Sequence, residues 1–336
     1  MILVTGGCGF IGSHVAAELL SLNAEVIIID NLSNSSKKII TKLRKLTSKK
    51  IVFSKGDLKN KIFLEKIFSK YNISDVFHFA GLKSIKQSIS NPLLYFSNNV
   101  EGTKNLIEVM RKKNVRNIIF SSSATVYNLN NSIPWSEKSL VSNNNHPYGN
   151  SKLLIENMLR DLSEKEDNWN VAILRYFNPV GSHQSNILGE HSIINSTNLV
   201  PKICKTILGI SKSVPIYGNN FNTPDGTGIR DYIHISDLVS GHIKAYNYIK
   251  NKNGCFIWNL GSGKGYSVLE VIKKFSEILN IDINYKFEPR RPGDLDEYWA
   301  SIEKSKNELN WSPVKDLNDI VNDTYKFINK CKNDLF

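Results

Sequence analysis

The sequence predicts an α/β protein: a doubly wound parallel sheet followed by a smaller C-terminal substrate-binding domain. Three observations predict it. Gly6, Gly9 and Gly12, in TGGCGFIG, follow a short apolar run and open an amphipathic one. Short apolar runs then alternate with helical ones throughout the first half, the pattern of parallel strands joined by crossover helices. The second of those apolar runs ends in an acid, Asp30.

Taken in order, residues 2–5, 25–30, 51–55, 75–80, 117–121 and 171–176 read as strands, and residues 13–20, 61–70, 98–113 and 148–162 as helices. The first strand runs into the glycine turn. Glycine permits the tight bend and lets backbone amides approach a pyrophosphate at a helix N-terminus. Asp30 closes the second strand, placed to accept hydrogen bonds from an adenosine ribose. Its charge would repel a 2′-phosphate and no arginine follows it closely, so NAD is favoured over NADP. The combination reads as a Rossmann-type nucleotide fold. Ligands of open parallel sheets bind outside the carboxyl ends of the strands. Asp57 in KGDL, the HFAGLK segment at 78–83 and SSSATVY at 121–127 all fall at such ends, and Ser123 is where a substrate-facing hydroxyl is expected.

HPYGNSK, at 146–152, starts the helix read over 148–162. Pro147 suits a first helical turn, where its missing N–H is no loss. Tyr148 and Lys152, four apart, share a helical face. On its own this pair is also what a solvated helix start would show.

Beyond Tyr176 the alternation becomes less regular, as a smaller domain would make it. The expected division is a nucleotide-binding domain over 1–176 and a substrate domain over 177–336. Segment 231–250 remains open to rejoining the first domain, so the boundary is not one clean cut. GSGKG, at 261–265, lacks the spacing of a phosphate-binding P-loop and reads as a strand-to-helix turn with Ser267 as N-cap.

The chain has 336 residues, enough for one large or two medium domains. No apolar run approaches the ~20 residues of a membrane helix. Met1 leads directly into ILVTGGCG with no room for a signal peptide, so a cytoplasmic location is expected. The four cysteines are scattered and unpaired by motif, and the seven histidines lack H-x-x-x-H spacing, so neither disulfide nor metal is expected. The net charge of +12 is spread along the chain and not gathered into a stripe, which argues against nucleic acid and for a generally basic surface.

TGGCGFIGSH, HFAGLK, SSSATVY, PYGNSK and RYFNPVG, in that order, resemble the extended short-chain dehydrogenase/reductases, and among them the UDP-glucose 4-epimerase family. DGTGIRDYIHISDL, NLGSGKGYSV and PRRPGDLDEYWA extend the resemblance over nearly the whole chain. It implies interconversion of UDP-glucose and UDP-galactose with NAD. In that scheme Tyr148 is the catalytic base, Lys152 its partner, and Ser123 a hydrogen-bonding partner of the sugar. C4 is oxidised, the 4-keto sugar turns its other face, and the hydride returns. A phenol has a pKa near ~10, and lowering it by ~3 units takes roughly 4 kcal/mol, expected here from Lys152 and bound NAD together.

The resemblance also implies NAD contacts from Gly6, Gly9, Phe10, Ile11, Gly12, Asp30, Asn31, Asp57, Leu58, Phe79, Ala80, Lys83, Asn98 and Phe177, besides Tyr148 and Lys152. Asn178, Asn198, Leu199 and Tyr217 would line the UDP-sugar pocket. Arg230 and Arg291 would grip phosphate with planar forks, Asp294 would accept from the uridine ribose, and Tyr298 would wall the sugar's C2 substituent. A homodimer is implied, through residues 98–113 and 148–162 pairing across a two-fold axis. Asn128 and Asn150 depart from the family pattern without changing a reacting group. A 4,6-dehydratase shares the fold and the first step, but needs an Asp-Glu pair where this chain has Ala124 and Thr125. A non-catalytic NAD-sensing protein would have no use for Ser123, Tyr148 and Lys152 together.

Overall fold

The computed structural model describes residues 1–142, 146–191, 196–250, 252–291 and 293–332. β1 (Ile2–Thr5) leads through the glycine turn into α1 (Phe10–Ser21), and β2 (Val26–Asp30) into α2 (Lys38–Thr47). β3 (Val52–Lys55), α3 (Lys61–Lys70) and β4 (Asp75–His78) follow. Next come two short helices, α4 (Ile85–Ser90) and α5 (Pro92–Tyr95), a π-helical turn over Phe96–Glu101, and α6 (Gly102–Lys112). β5 (Asn117–Ser123), α7 (Pro147–Lys165) and β6 (Asn170–Tyr176) complete the first half.

The second half holds β7 (Asn178–Val180), α8 (Leu199–Ile207), β8 (Val214–Tyr217), β9 (Ile229–Arg230), β10 (Tyr232–His234) and α9 (Ile235–Ile249). β11 (Gly254–Leu260), β12 (Tyr266–Ser267), α10 (Val268–Leu279), β13 (Tyr285–Glu288) and β14 (Glu297–Tyr298) follow, and α11 (Glu303–Leu309) and α12 (Leu317–Lys330) end the chain's described part.

One seven-stranded sheet in the order β11-β6-β5-β4-β1-β2-β3 organises the molecule, and every pairing in it is parallel. All four residues of β1 and all five of β2 are buried, because helices cover both faces. On one face Val4, Ile28, Phe77, Ile119 and Leu174 pack with α1 and α9. On the other Leu3, Ile27, Val76, Ile118 and Ile173 pack with α3, α6 and α7. The period-2 alternation of these residues splits one run of apolar sequence between two cores.

The chain leaves β1 toward β2 and β3, then returns to β4 on β1's other side. This reversal opens a crevice beyond the strands' carboxyl ends. Register brings Thr5 level with Ile29 and His78, and Ser123 level with Tyr176.

The seventh strand comes from the second half. β11 runs beside β6 from Gly254↔Asn170 to Leu260↔Tyr176, and α9 covers the sheet beside it. A separate core of Ile203, Val214, Phe275 and Val321 joins α8, β8, α10 and α12. Ser267 caps α10 as expected: its Oγ accepts from the Glu270 N–H at 3.0 Å, and Glu270 Oε2 accepts from the Ser267 N–H at 2.6 Å.

Candidate active site

A cleft of about 460 Å³ lies across the carboxyl ends of the strands, between the sheet and the second half. Every residue singled out in the sequence as a site residue lines it, from Gly6 and Asp30 to Arg291, Asp294 and Tyr298.

At the nucleotide end Gly6 has φ +67°, and a Cβ there would lie 2.6 Å from the Ala80 nitrogen. A Cβ on Gly12 would lie 2.4 Å from the Gly6 oxygen. The turn is therefore closed to any larger residue and packs α1 against the ends of β1 and β4. Gly9 sits at the N-cap of α1 without a side chain, so the first helical amides open into the cleft with their partial positive charge.

Asp30 is 7% exposed. Its Oδ2 accepts from the Cys8 N–H at 2.9 Å, and its Oδ1 from the Leu32 N–H and the Ser35 hydroxyl, both at 2.9 Å. A carboxylate has about four acceptor positions, so three bonds fix this one and leave a place for a ribose hydroxyl. Asn31 Nδ2 donates to Asp57 Oδ2 at 3.0 Å, tying the ends of β2 and β3 together. These features fit a dinucleotide: a cradle that a Cβ would fill, a helix N-terminus, and an oriented acid at the next strand end.

The π-helical turn over Phe96–Glu101 brings Asn98 to the cleft. Asn99, buried beside it, accepts from the Leu82 N–H at 2.8 Å and donates to the Leu82 carbonyl at 3.0 Å and the Ser151 hydroxyl at 3.2 Å. Lys83 reaches across the cleft to Glu190, with Nζ 3.2 Å from Oε1.

The reacting groups come from β5 and α7. Ser123 is the last residue of β5, and its Oγ accepts from the Thr125 N–H at 3.2 Å and the Thr125 hydroxyl at 3.0 Å. Its hydroxyl also meets the Tyr148 phenol, whose charged form it favours. Pro147 is the first residue of α7, and the His146 ring caps the helix by accepting from the Gly149 N–H at 3.0 Å. Lys152, 5% exposed, donates from Nζ to the Ser121 carbonyl at 2.6 Å and lies 4.9 Å from the centre of the Phe120 ring.

In the protein alone the Tyr148 phenol is held above its ordinary value, by burial first and with Ser123 offsetting part of that; the lowering expected from the sequence is one that Lys152 and bound NAD supply together. Burial also lowers Lys152 to about 8, while Glu156, one turn further along α7, favours its charged form. Desolvation is the largest cause for both groups because both sit in a sheltered corner.

Tyr298 stacks on Trp135, with centroids 4.9 Å apart and planes 7° from parallel, and the Arg230 guanidinium lies 4.7 Å from its ring centre. Arg230 donates to the carbonyls of Ile229 and Leu295 at 2.8 and 3.0 Å and meets Asp294 at 3.4 Å, so much of its fork is already committed. Arg291 lies 4.0 Å from the centre of the Tyr217 ring. Asn178 Nδ2 donates to the Asp231 carbonyl at 2.7 Å. Thr125, Glu190 and Lys202 also line the cleft. Nothing in their local sequence marks them, since a threonine in a turn or a lysine on a helix is ordinary surface chemistry.

The protein-family profile for GDP-mannose 4,6 dehydratase matches residues 3–324. A UDP-glucose 4-epimerase of Pasteurella multocida (strain Pm70) is 42% identical over 329 residues, 98% of this chain and 97% of its own length. A UDP-glucose 4-epimerase of Bifidobacterium longum, solved with NAD⁺ and UDP, superposes with a TM-score of 0.94 at 42% identity over 99% of both chains. One from Stenotrophomonas maltophila, solved with NAD and a formylated UDP-arabinopyranose, gives 0.95 at 36% identity, again over 99% of both. Matched almost from end to end in sequence and in backbone, the chain belongs to the UDP-glucose 4-epimerase family of the extended short-chain dehydrogenase/reductases.

Proposed function

We propose that this protein interconverts UDP-glucose and UDP-galactose by transient oxidation at sugar C4, using NAD. The observation that carries this reading is the meeting of Ser123, Tyr148 and Lys152 in the cleft that also holds the glycine turn and Asp30. The glycine turn, Asp30, Asn31 and Asp57 would hold the adenosine end of NAD, with Lys152 and Tyr148 beside the reacting end. When bound, NAD supplies the hydride acceptor and donor for C4 and a positive charge that favours the phenolate. Tyr148 takes the proton of the sugar 4-hydroxyl and hands it back after the 4-keto sugar has turned. Ser123, whose hydroxyl meets the Tyr148 phenol, would direct its proton to the sugar 4-oxygen when substrate is bound. Lys152, pinned at the end of β5, keeps a cation behind the phenol and orients the ribose next to it.

The dehydratase reading fares worse at the residues. Ala124 is buried and Thr125 is bonded to Ser123, and neither has an acid or base for eliminating water. Incubation with UDP-galactose, monitored at the absorbance of reduced nicotinamide, should yield UDP-glucose with no net release of NADH. Accumulation of a keto-deoxy sugar would instead identify a dehydratase.

Tyr298 is the proposed wall beside the sugar's C2 substituent. Stacked on Trp135 and covered by Arg230, its ring has little room to yield. An acetamido group forced against it would overpack the pocket by roughly 1–3 kcal/mol, about one to two decades in kcat/KM. UDP-N-acetylglucosamine should therefore be a poor substrate, and Tyr298→Cys should gain that activity. Comparable kcat/KM for both substrate classes in the wild type would remove Tyr298 as the gate.

The nucleotide-binding unit is proposed as residues 1–176 with α9 and β11 returning to it, and the UDP-sugar-binding unit as the rest. Assembly as a homodimer through residues 98–113 and 148–162 is proposed as well; Leu154 on α7, 43% exposed, supports it, and Ile89 on α4 and Leu93 on α5, outside those two segments, would extend the same apolar face. These would meet their copies in an isologous interface. Multi-angle light scattering should give twice the chain mass at micromolar concentration, and a monomer there would refute the dimer. Among the described residues no helix is long and apolar enough to cross a membrane, and a cytoplasmic site of action is proposed with the rest.

A further inference from the structure

We infer that Lys202 is a further binding residue of this cleft, a cation that contacts the diphosphate of the substrate together with Arg291. The inference rests on the UDP-sugar reading above and adds a residue to it. Lys202 stands on α8, half-buried, and lines the cleft. Its Nζ lies 4.3 Å from the centre of the Tyr217 ring, the same ring that the Arg291 guanidinium covers at 4.0 Å.

Three cations thus gather at this end of the cleft: Lys202, Arg230 and Arg291. They are unequal in their partners. Arg230 has Asp294 and three backbone carbonyls. Among the described residues no carboxylate forms an ion pair with Lys202 or Arg291.

Two like charges against one half-buried ring repel each other. Burial is the largest cause disfavouring the charged form of Lys202; the Tyr217 oxygen favours that form, and Arg291 and the neighbouring Lys205 disfavour it. The pair in turn draws the Tyr217 phenol below its ordinary value. Two cations that share one phenol oxygen and, among the described residues, no carboxylate are what a ligand anion would relieve. Of the groups on a UDP-sugar, only the diphosphate carries that charge. A lysine merely lying along an aromatic surface would give the same ring distance but no preference between charged and neutral ligands.

Calorimetric titration of the NAD-loaded protein with UDP and with uridine separates these cases. Lys202→Gln removes the charge, and Lys202→Met removes it while keeping the stem against Tyr217. In both, the Kd for UDP should rise about tenfold, the loss of one charge-assisted contact, while the Kd for uridine stays unchanged. UDP binding should also become less salt-dependent, and Lys202→Arg should restore wild-type affinity. If UDP binds both neutral variants as tightly as wild type, or if UDP and uridine weaken equally, Lys202 does not bind the diphosphate. A wild-type protein that fails to bind UDP would overturn the UDP-sugar reading itself, a different result from either.

Discussion

Replacing Tyr148 by phenylalanine is expected to lower kcat by about 10²–10⁴-fold, the range for loss of a positioned general base, with NAD retention and fold unchanged. The ring has its own supports. It meets Tyr95 edge-on at 6.4 Å and stacks beside His146 at 6.3 Å, contacts that phenylalanine keeps. Only the oxygen goes, and with it the group proposed to receive the 4-hydroxyl proton beside Ser123. KM for UDP-galactose should change little, because Ser123 and the diphosphate contacts remain; a kcat effect without a KM effect marks an interaction made in the transition state. Turnover near wild type in Tyr148→Phe would take Tyr148 out of the mechanism.

The second large effect lies beneath the site. Glu156 and Arg175 form a fully buried ion pair, their side chains 0% and 2% exposed, with bonds of 3.0 Å from Nε and 2.7 Å from Nη2. Ser122 donates to the same carboxylate, and the guanidinium covers the Tyr127 ring at 4.7 Å. Arg175→Leu would strand the carboxylate of Glu156 in an apolar interior. The expected loss is about 3–5 kcal/mol of unfolding free energy, read as a lower midpoint in urea. The double variant Glu156→Leu with Arg175→Leu should recover part of it, since the buried carboxylate is then gone and only Arg160, 3.7 Å from Glu156 and partly exposed, loses a partner ion. Equal losses in the single and double variants would show that packing, not charge, is what the pair supplies. The pair also ties α7 to β5 and β6, so the single variant should lose activity at temperatures where wild type keeps it.

The nucleotide half was legible because its signals are local. Gly6, Gly9 and Gly12 fix a turn within a few residues, Asp30 ends its own strand, and Tyr148 and Lys152 are joined by the pitch of one helix. The strand GCFIWNL of β11 is marked in the sequence only by the strand-to-helix turn read after it, because a short apolar run has the same local appearance in a sheet edge and in a buried helix. Only its pairing with β6, across a long stretch of chain, decides. The α2 helix was hidden because Ile39, Ile40 and Leu43 sit among lysines after a serine- and asparagine-rich turn. The raised Tyr148 phenol of the protein alone is not legible either: sequence shows a cation four residues away, but burial is a property of the assembled corner.

The π-helical turn before α6 has a consequence for how the chain can change. α6 must turn Leu106, Val109 and Met110 toward the sheet, while Asn98 must face the cleft and Asn99 must reach Leu82 and Ser151. In an unbroken α-helix each residue advances the direction of its side chain by about 100°, and one residue more or less swings a whole segment off its target. The wider turn absorbs one extra residue, so the two stretches run out of phase and each keeps its own bearing. It works as a vernier between a packing frame and a chemical frame. Deleting Ser97 would bring the frames back into step, and the asparagines would then point where the leucines need them least.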